Sequence, residues 1–254
     1  MSILIIQLPA RQRPSASAPD AATVTPGPQS YAYVLSADGE TLSRQGRGEL
    51  TQMPQADSVV AVLAPTDVSW HRLTLPKAPQ ARLRAALASL LEDALLDEPE
   101  QLHLAVAPQP KVGQPTWVAV CDHTWLTSQL MALEKAQLRV DRVVPGAAPD
   151  EPATALFHEA FEAGQGSSES GPEVLMTWAT PEGVSTWPLG GSLSRGLLPD
   201  PLPTQARFFA TPPVASPAER WLGRAVTVQT ASEHMLLASR SLWNLLQFEL
   251  APRS

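Results

Sequence analysis

Apolar positions along the chain recur with two periods, and the change from one to the other marks out its elements. Leu83, Ala86, Leu87, Leu90, Leu91, Ala94 and Leu95 fall at helical spacings, which places them on one stripe of an α-helix. Ahead of that helix the runs are short and read as strands: one within residues 1–9, then 31–36 and 42–50 around the hairpin-turn pair Asp38-Gly39. A second strand pair is predicted at 59–63 and 68–75, around Ala64-Pro65-Thr66. Beyond the helix come strands at 102–107 and 117–121, a helix at 124–136 and a strand at 139–144. The second half is read as a helix at 154–162, strands at 174–179, 184–188 and 207–210, a helix at 217–222, a strand at 226–229 and a helix at 233–243. The order predicts an α/β protein with mixed sheets in two lobes, 1–149 and 150–254.

Proline refines the boundaries. There are 26 in 254 residues, about twice ordinary usage, and they gather at 9–28, 108–115, 145–152 and 199–217. The Pro-rich segment 11–29, without periodic apolar residues, is expected to be a surface loop, and Ala163 to Gly171 is expected to be flexible. With 44% apolar and 17% charged residues the chain has the balance of a globular protein. A net charge of −7 argues against nucleic acid as a partner. Cys121 is the sole cysteine, so no intramolecular disulfide forms, and this fits a reducing compartment. No run approaches the length of a membrane-spanning helix.

The residues that carry chemistry do not assemble into a familiar motif. His71, His103, His123, His158 and His234 lack the spacing of a metal site. Cys121-Asp122-His123 places neighbours on opposite faces of a strand, where they cannot share a proton. Gly190-Gly191-Ser192-Leu193-Ser194 approaches a nucleophile elbow but ends in Ser194 where the turn needs Gly. No P-loop and no G-x-G-x-x-G occur. Glu92, Asp93, Asp97, Glu98 and Glu100 lack the alternation of a calcium loop and read as a solvated helix end. Arg82 and Arg84 in the first turns, with acids in the last, run against the helix dipole; a charged partner at one end would account for this, but chance is the stronger explanation. Trp70, Trp117, Trp178 and Trp187 lie in strand-like segments and are expected in or beside the core. Catalytic, cofactor-binding and metal-binding residues are therefore all read as none, and the chain as a non-catalytic interaction module.

Several words of the sequence resemble one family. VVAVLAPTDVSWHRLTLP at 59–76, ARLRAALASLLEDALLDEPEQLHLAV at 81–106, WVAVCDHTWLTSQLMALEKAQLRVDRVVP at 117–145 and NLLQFELAPR at 244–253 are similar to the cytoplasmic part of GspL, the L protein of type II secretion systems. Asn244, Leu245, Leu246 and Gln247 match the family's juxtamembrane signature, whereas Phe248 stands where that signature usually has Gly, a residue chosen where φ must be positive. The resemblance implies an actin-like fold of RNase H-like lobes at the cytoplasmic face of the bacterial inner membrane, with a transmembrane helix and a periplasmic domain following residue 254. It also implies recruitment of a GspE-type secretion ATPase, GspM-like, GspC-like and GspF-like platform partners, and a possible homodimer. Where the ATPase docks is not readable.

The rival reading is an actin-like ATPase or kinase relative. Such proteins carry a D-x-G-x-[ST] phosphate hairpin after the first strand of each lobe. Here the first strand runs into Leu8-Pro9-Ala10-Arg11, with no acid and a proline that cannot donate a backbone hydrogen bond. The second lobe's counterpart is taken to be Thr180-Pro181-Glu182-Gly183-Val184. Asp38-Gly39-Glu40-Thr41 imitates the motif but lies at the following hairpin. No nucleotide binding is therefore expected.

Overall fold

A computed structural model describes residues 1–11, 29–160, 173–191 and 193–252. Most of the loop expected at 11–29, and the flexible stretch expected at 163–171, fall outside them. The first strand, β1 (Ile3–Gln7), is buried on both faces at its centre, so alternation vanishes and Leu4, Ile5 and Ile6 are all apolar. It pairs antiparallel with β2 (Tyr31–Ser36), which continues the meander into β3 (Arg44–Gly48). It also pairs parallel with β4 (Ser58–Leu63), which in turn carries β8 (Arg142–Pro145) in parallel. The sheet order is β3-β2-β1-β4-β8.

Between β4 and β8 the chain inserts β5 (Ser69–Thr74), helix α1 (Gln80–Leu91), β6 (Leu102–Val106), β7 (Pro115–Asp122) and helix α2 (His123–Lys135). The three strands form an antiparallel sheet in the order β5-β7-β6. The expected pairing of 59–63 with 68–75 is therefore corrected. A single 3-10 turn at Pro65–Asp67 sends the chain into a different sheet. The difference in patterning explains it: β4 is apolar after Ser58 and central, whereas β5 alternates and lies at a sheet edge.

The second lobe holds β9 (Thr154–Glu159), β10 (Val174–Thr180), β11 (Gly183–Pro188), β12 (Arg207–Ala210), helix α3 (Ala215–Leu222) and β13 (Thr227–Val228). Its order β11-β10-β9-β12-β13 repeats the first sheet: an antiparallel meander of three, then two strands parallel to the first. This repeated arrangement is that of RNase H-like lobes, and the expected actin-like α/β class holds. The helix predicted at 154–162 is instead β9. Flanked by β10 and β12 and covered on both faces, it carries the continuous run Ala155-Leu156-Phe157, and this reads as a helix when the neighbours are unseen.

The last helix, α4 (Ala231–Ser239), follows the second sheet in sequence but packs on the first. Met235, Leu236 and Ala238 close a core cluster with Ile5, Val34, Val60, Val62 and Val144. A capping box starts this helix: the Thr230 hydroxyl accepts from Glu233 N at 3.1 Å, while the Glu233 carboxylate accepts from Thr230 N at 2.7 Å. The chain then enters the main core, where Trp243, Leu245 and Leu246 lie with Leu4, Ile6, Leu63 and Leu126. Among the described residues no helix is long and apolar enough to cross a membrane.

Candidate functional site: the signature segment and the cleft turns

Residues 244–247 are not a loose end but a stitch between two sheets. On one side the segment meets the open edge of β8. Leu245 N donates to Val143 O at 2.7 Å, and Val143 N donates to the Asn244 side-chain carbonyl at 3.2 Å. That same Asn244 oxygen accepts from Leu246 N at 3.0 Å, which holds the turn. On the other side Gln247 meets the open edge of β6: Val106 N donates to its Oε1 at 3.0 Å, and its Nε2 donates to Val106 O at 2.9 Å. The amide side chain thus imitates the peptide of an added strand. His103 Nε2, 2.6 Å from Leu245 O, fixes the backbone between the two edges.

Two cations complete the arrangement, and the sequence alone singled out only one of them. Arg142 donates to the carbonyls of Ser239 and Trp243, both at 3.1 Å, and of Ser241, gathering orphan carbonyls where α4 ends. Arg84 of α1 pairs with Glu249 and donates to Pro99 O at 3.2 Å and Leu102 O at 3.1 Å. Arg84 thus meets a charged partner within the chain. Phe248 has φ of +53°, the left-handed conformation that Gly adopts freely, and its ring packs against the cluster of Leu75, Leu87, Leu91 and Leu104. Apolar contact offsets the backbone cost where the family pattern has Gly.

The exit of β1 lies where a first phosphate hairpin would stand, and Leu8-Pro9-Ala10-Arg11 fills it. Arg11 N donates to Asp67 at 3.0 Å and its guanidinium pairs with Asp122 at 3.0 Å, so two carboxylates face this turn. Asp122 also caps α2 by accepting from Trp125 N at 2.7 Å. Pro181 does not occupy the corresponding place in the second lobe. Because β9 is a strand, the equivalent connection is the one from β9 to β10, residues 160–173, and Pro181 sits in the next hairpin, the counterpart of the Asp38 turn of the first lobe. Most of 160–173 lies outside the described residues; its sequence, AFEAGQGSSESGPE, contains no Asp. At the first hairpin, Asp38 accepts from Glu40 N at 2.7 Å and Thr41 N at 2.8 Å, the bonding of a plain Asx turn.

The other candidates are held in structural roles. Cys121 is buried and its thiol is pushed up to about 12, by burial first and then by Asp122 and Asp67; such a thiol is unreactive. Ser194 Oγ lies 3.0 Å from the Leu189 and Gly191 carbonyls and accepts from Trp221 Nε1 at 3.3 Å. Ser192 lies outside the described residues. His158 is buried, its ring bonded to Glu159 O at 2.8 Å and Thr177 Oγ1 at 2.9 Å, and burial lowers its pKa. His234, bonded to Gly146 O at 2.9 Å, is lowered to about 4 by burial. Among the described residues no group of three or more His, Cys, Asp or Glu is placed to hold a metal ion. Trp178 is buried, and Trp70, Trp117 and Trp187 are half-buried, as their strand positions suggest.

Comparison with known proteins agrees with this architecture. The chain is 34% identical over 121 residues to the type II secretion system protein L of Pectobacterium carotovorum subsp. carotovorum, a match covering 45% of this chain and 28% of that protein. It is 35% identical over 85 residues to the protein of the same name from Dickeya chrysanthemi, covering 33% of this chain and 21% of that one. The chain thus matches only about a quarter of these relatives' length. Among solved structures, the cytoplasmic domain of EpsL, an inner-membrane component of the Vibrio cholerae type II secretion system, superposes with a TM-score of 0.64 at 17% identity. That likeness covers 98% of this chain and all of the other, and it shows the fold. The family model for type II secretion system protein L matches residues 29–156, half of the chain. The chain belongs to the type II secretion system protein L family.

Proposed function

We propose that this chain is a non-catalytic scaffold at the cytoplasmic face of the inner membrane, where it recruits the GspE-type secretion ATPase to the type II secretion platform. Family membership supports the secretion assignment. The observation that carries the non-catalytic part is the β1 exit. A phosphate would need backbone N–H donors and an acid placed to hold its metal ion. This turn offers Pro9, which has no N–H, and an arginine already paired with Asp122 and tied through its backbone to Asp67. In this reading GspM-like, GspC-like and GspF-like neighbours complete the platform through parts of the protein beyond the chain described.

Two measurements test the proposal. The purified chain and the N-terminal domain of a matching GspE-type ATPase should co-elute from a sizing column at tens of micromolar, roughly the −6 to −7 kcal/mol range; separate elution would remove the recruitment role. Calorimetric titration with Mg-ATP should give no saturable heat. Micromolar saturable binding would instead support the actin-like nucleotide-binding alternative.

A further inference from the structure

Two surfaces of opposite charge, each beside leucines left in water, lie on separate parts of the fold. The first is the outer side of α1 and the segment after it. The helix buries Leu87 and Leu91 and half-buries Leu83, but its stripe is wider than the core it meets. Leu90 is 56% exposed and Leu96 is wholly exposed. Ala81, Ala85 and Ser89 are small and exposed, with the exposed Arg82 beside them on the same side of the helix. Residues 92–100 add Glu92, Asp93, Asp97, Glu98 and Glu100 with no basic residue among them. None of the five is ion-paired among the described residues. Acids at the C-terminal end of a helix oppose its dipole.

The second surface lies on the other lobe, around α3 and the 3-10 turn at Ser194–Leu197. Leu193 is 82% exposed and Leu197 is 57% exposed. Arg195 stands over the Trp221 ring at 5.7 Å and Arg224 over the Phe208 ring at 5.0 Å, which holds both guanidinium groups against this lobe's surface. Arg220 is exposed on α3. Residues 193–224 carry Arg195, Arg207, Arg220 and Arg224 against Asp200 and Glu219, and Glu219 is occupied in accepting from Val226 N at 3.1 Å. α1 and α3 belong to different core clusters.

We infer that these surfaces bind each other between copies of the chain: the acidic α1 shelf of one protomer takes the arginine and leucine face around α3 of the next. Charge selects this pairing. A self-facing contact of the α1 shelf would bring five carboxylates against five, and a self-facing contact of α3 would bring arginine against arginine. Only the crossed pairing neutralises both while covering Leu90 and Leu96 with Leu193 and Leu197. Such a contact is head-to-tail and extends to a ring or an open row rather than closing at two.

Sedimentation velocity of the 254-residue chain tests this. The weight-average sedimentation coefficient should rise between about 1 and 100 µM and fall when salt is raised from about 0.05 to 0.5 M, which shortens the screening length. The charge-reversed variants Glu92→Lys/Asp93→Lys/Asp97→Lys and Arg220→Glu/Arg224→Glu should each remain monomeric at concentrations about tenfold higher than the wild type. Their equimolar mixture should regain association, because each reversed patch then meets a reversed partner. Unchanged circular dichroism of each variant establishes that it is folded. A wild-type chain monomeric at 100 µM in low salt, variants that associate as the wild type does, or a mixture that stays monomeric would each overturn the pairing. Arginine-dependent capture by phosphatidylglycerol vesicles without self-association would reassign the α3 face to a lipid surface and overturn it as well.

Discussion

Replacing Gln247 with Ala removes both hydrogen bonds at the β6 edge while leaving the backbone of the signature in place. Val106 is 3% exposed, and among the described residues Gln247 is what meets its N–H and C=O. An unsatisfied buried backbone group costs about 1–3 kcal/mol. Water admitted to the space of the lost side chain recovers part of this, which leaves a loss of roughly 2–4 kcal/mol. For a chain of this length that is a fall in Tm on the order of 10 °C. Gln247→Glu sharpens the test. It is nearly isosteric and still accepts from Val106 N, but it sets a carboxylate oxygen against the carbonyls of Val106 and Asn244, where the amide donates at 2.9 and 3.0 Å. The loss should match or exceed that of the alanine variant. Tryptophan fluorescence is a local reporter, because Trp243, four residues before Gln247, stands edge-on to Trp70 at 4.9 Å between centroids. A loss below about 0.5 kcal/mol for Gln247→Ala, the size of an ordinary surface substitution, or a glutamate variant as stable as the wild type, would refute the stitch.

Position 248 should reverse the usual order of Ala and Gly. Phe248→Gly and Phe248→Ala both lose the ring packed on the α1 cluster, but only Gly relieves the φ of +53°, so Phe248→Gly should unfold at a higher temperature by about 1 kcal/mol equivalent; the opposite order would show that the turn relaxes elsewhere. Stability should also rise with pH below neutrality. The folded pKa of His234, about 4, lies below the unfolded value near 6.5, so the unfolded chain binds more protons between those limits, and lowering the pH from 7 to 5 should cost about 2 kcal/mol at this residue. His103 and His158, also lowered by burial, act in the same direction. Thermal melts at pH 5 and 7 should show a smaller difference in His234→Gln, and an undiminished one would place the proton elsewhere.

Most elements were legible where one face meets water, because there the apolar period survives. One failure lies where a strand is covered on both sides, and the other where strands adjacent in sequence belong to different sheets. β9 has the run Ala155-Leu156-Phe157 and no alternation, so the residues cannot distinguish a central strand from a short buried helix. β4 and β5 were joined because a proline turn between two apolar runs resembles a hairpin, yet the pairing partners lie at Ile3–Gln7 and Pro115–Asp122, far along the chain. The signature was legible as a word but not as a device. That Gln247 would bond to Val106, or Asn244 to Val143, depends on separations of 141 and 101 residues. Charges arranged against the helix dipole, which chance explains more readily than a partner, do not identify Glu249, the residue that Arg84 meets 165 positions along the chain.

The correction at β9 alters what the nucleotide argument rests on. Reading β9 as a helix sets Pro181 and Pro9 at equivalent turns in two lobes. With β9 as the first strand of its sheet, Pro181 becomes the counterpart of the Asp38 hairpin, and only Pro9 stands at a phosphate-turn position. The second lobe's contribution reduces to the composition of residues 160–173, where Gly and Ser abound but Asp is absent. The first lobe carries more than a missing donor, because its turn is held by Arg11, whose guanidinium pairs with Asp122 and whose N–H meets Asp67. A phosphate entering there would have to compete with Asp122 for Arg11, and its metal ion would have to compete with Arg11 for both carboxylates; neither obstacle depends on the second lobe.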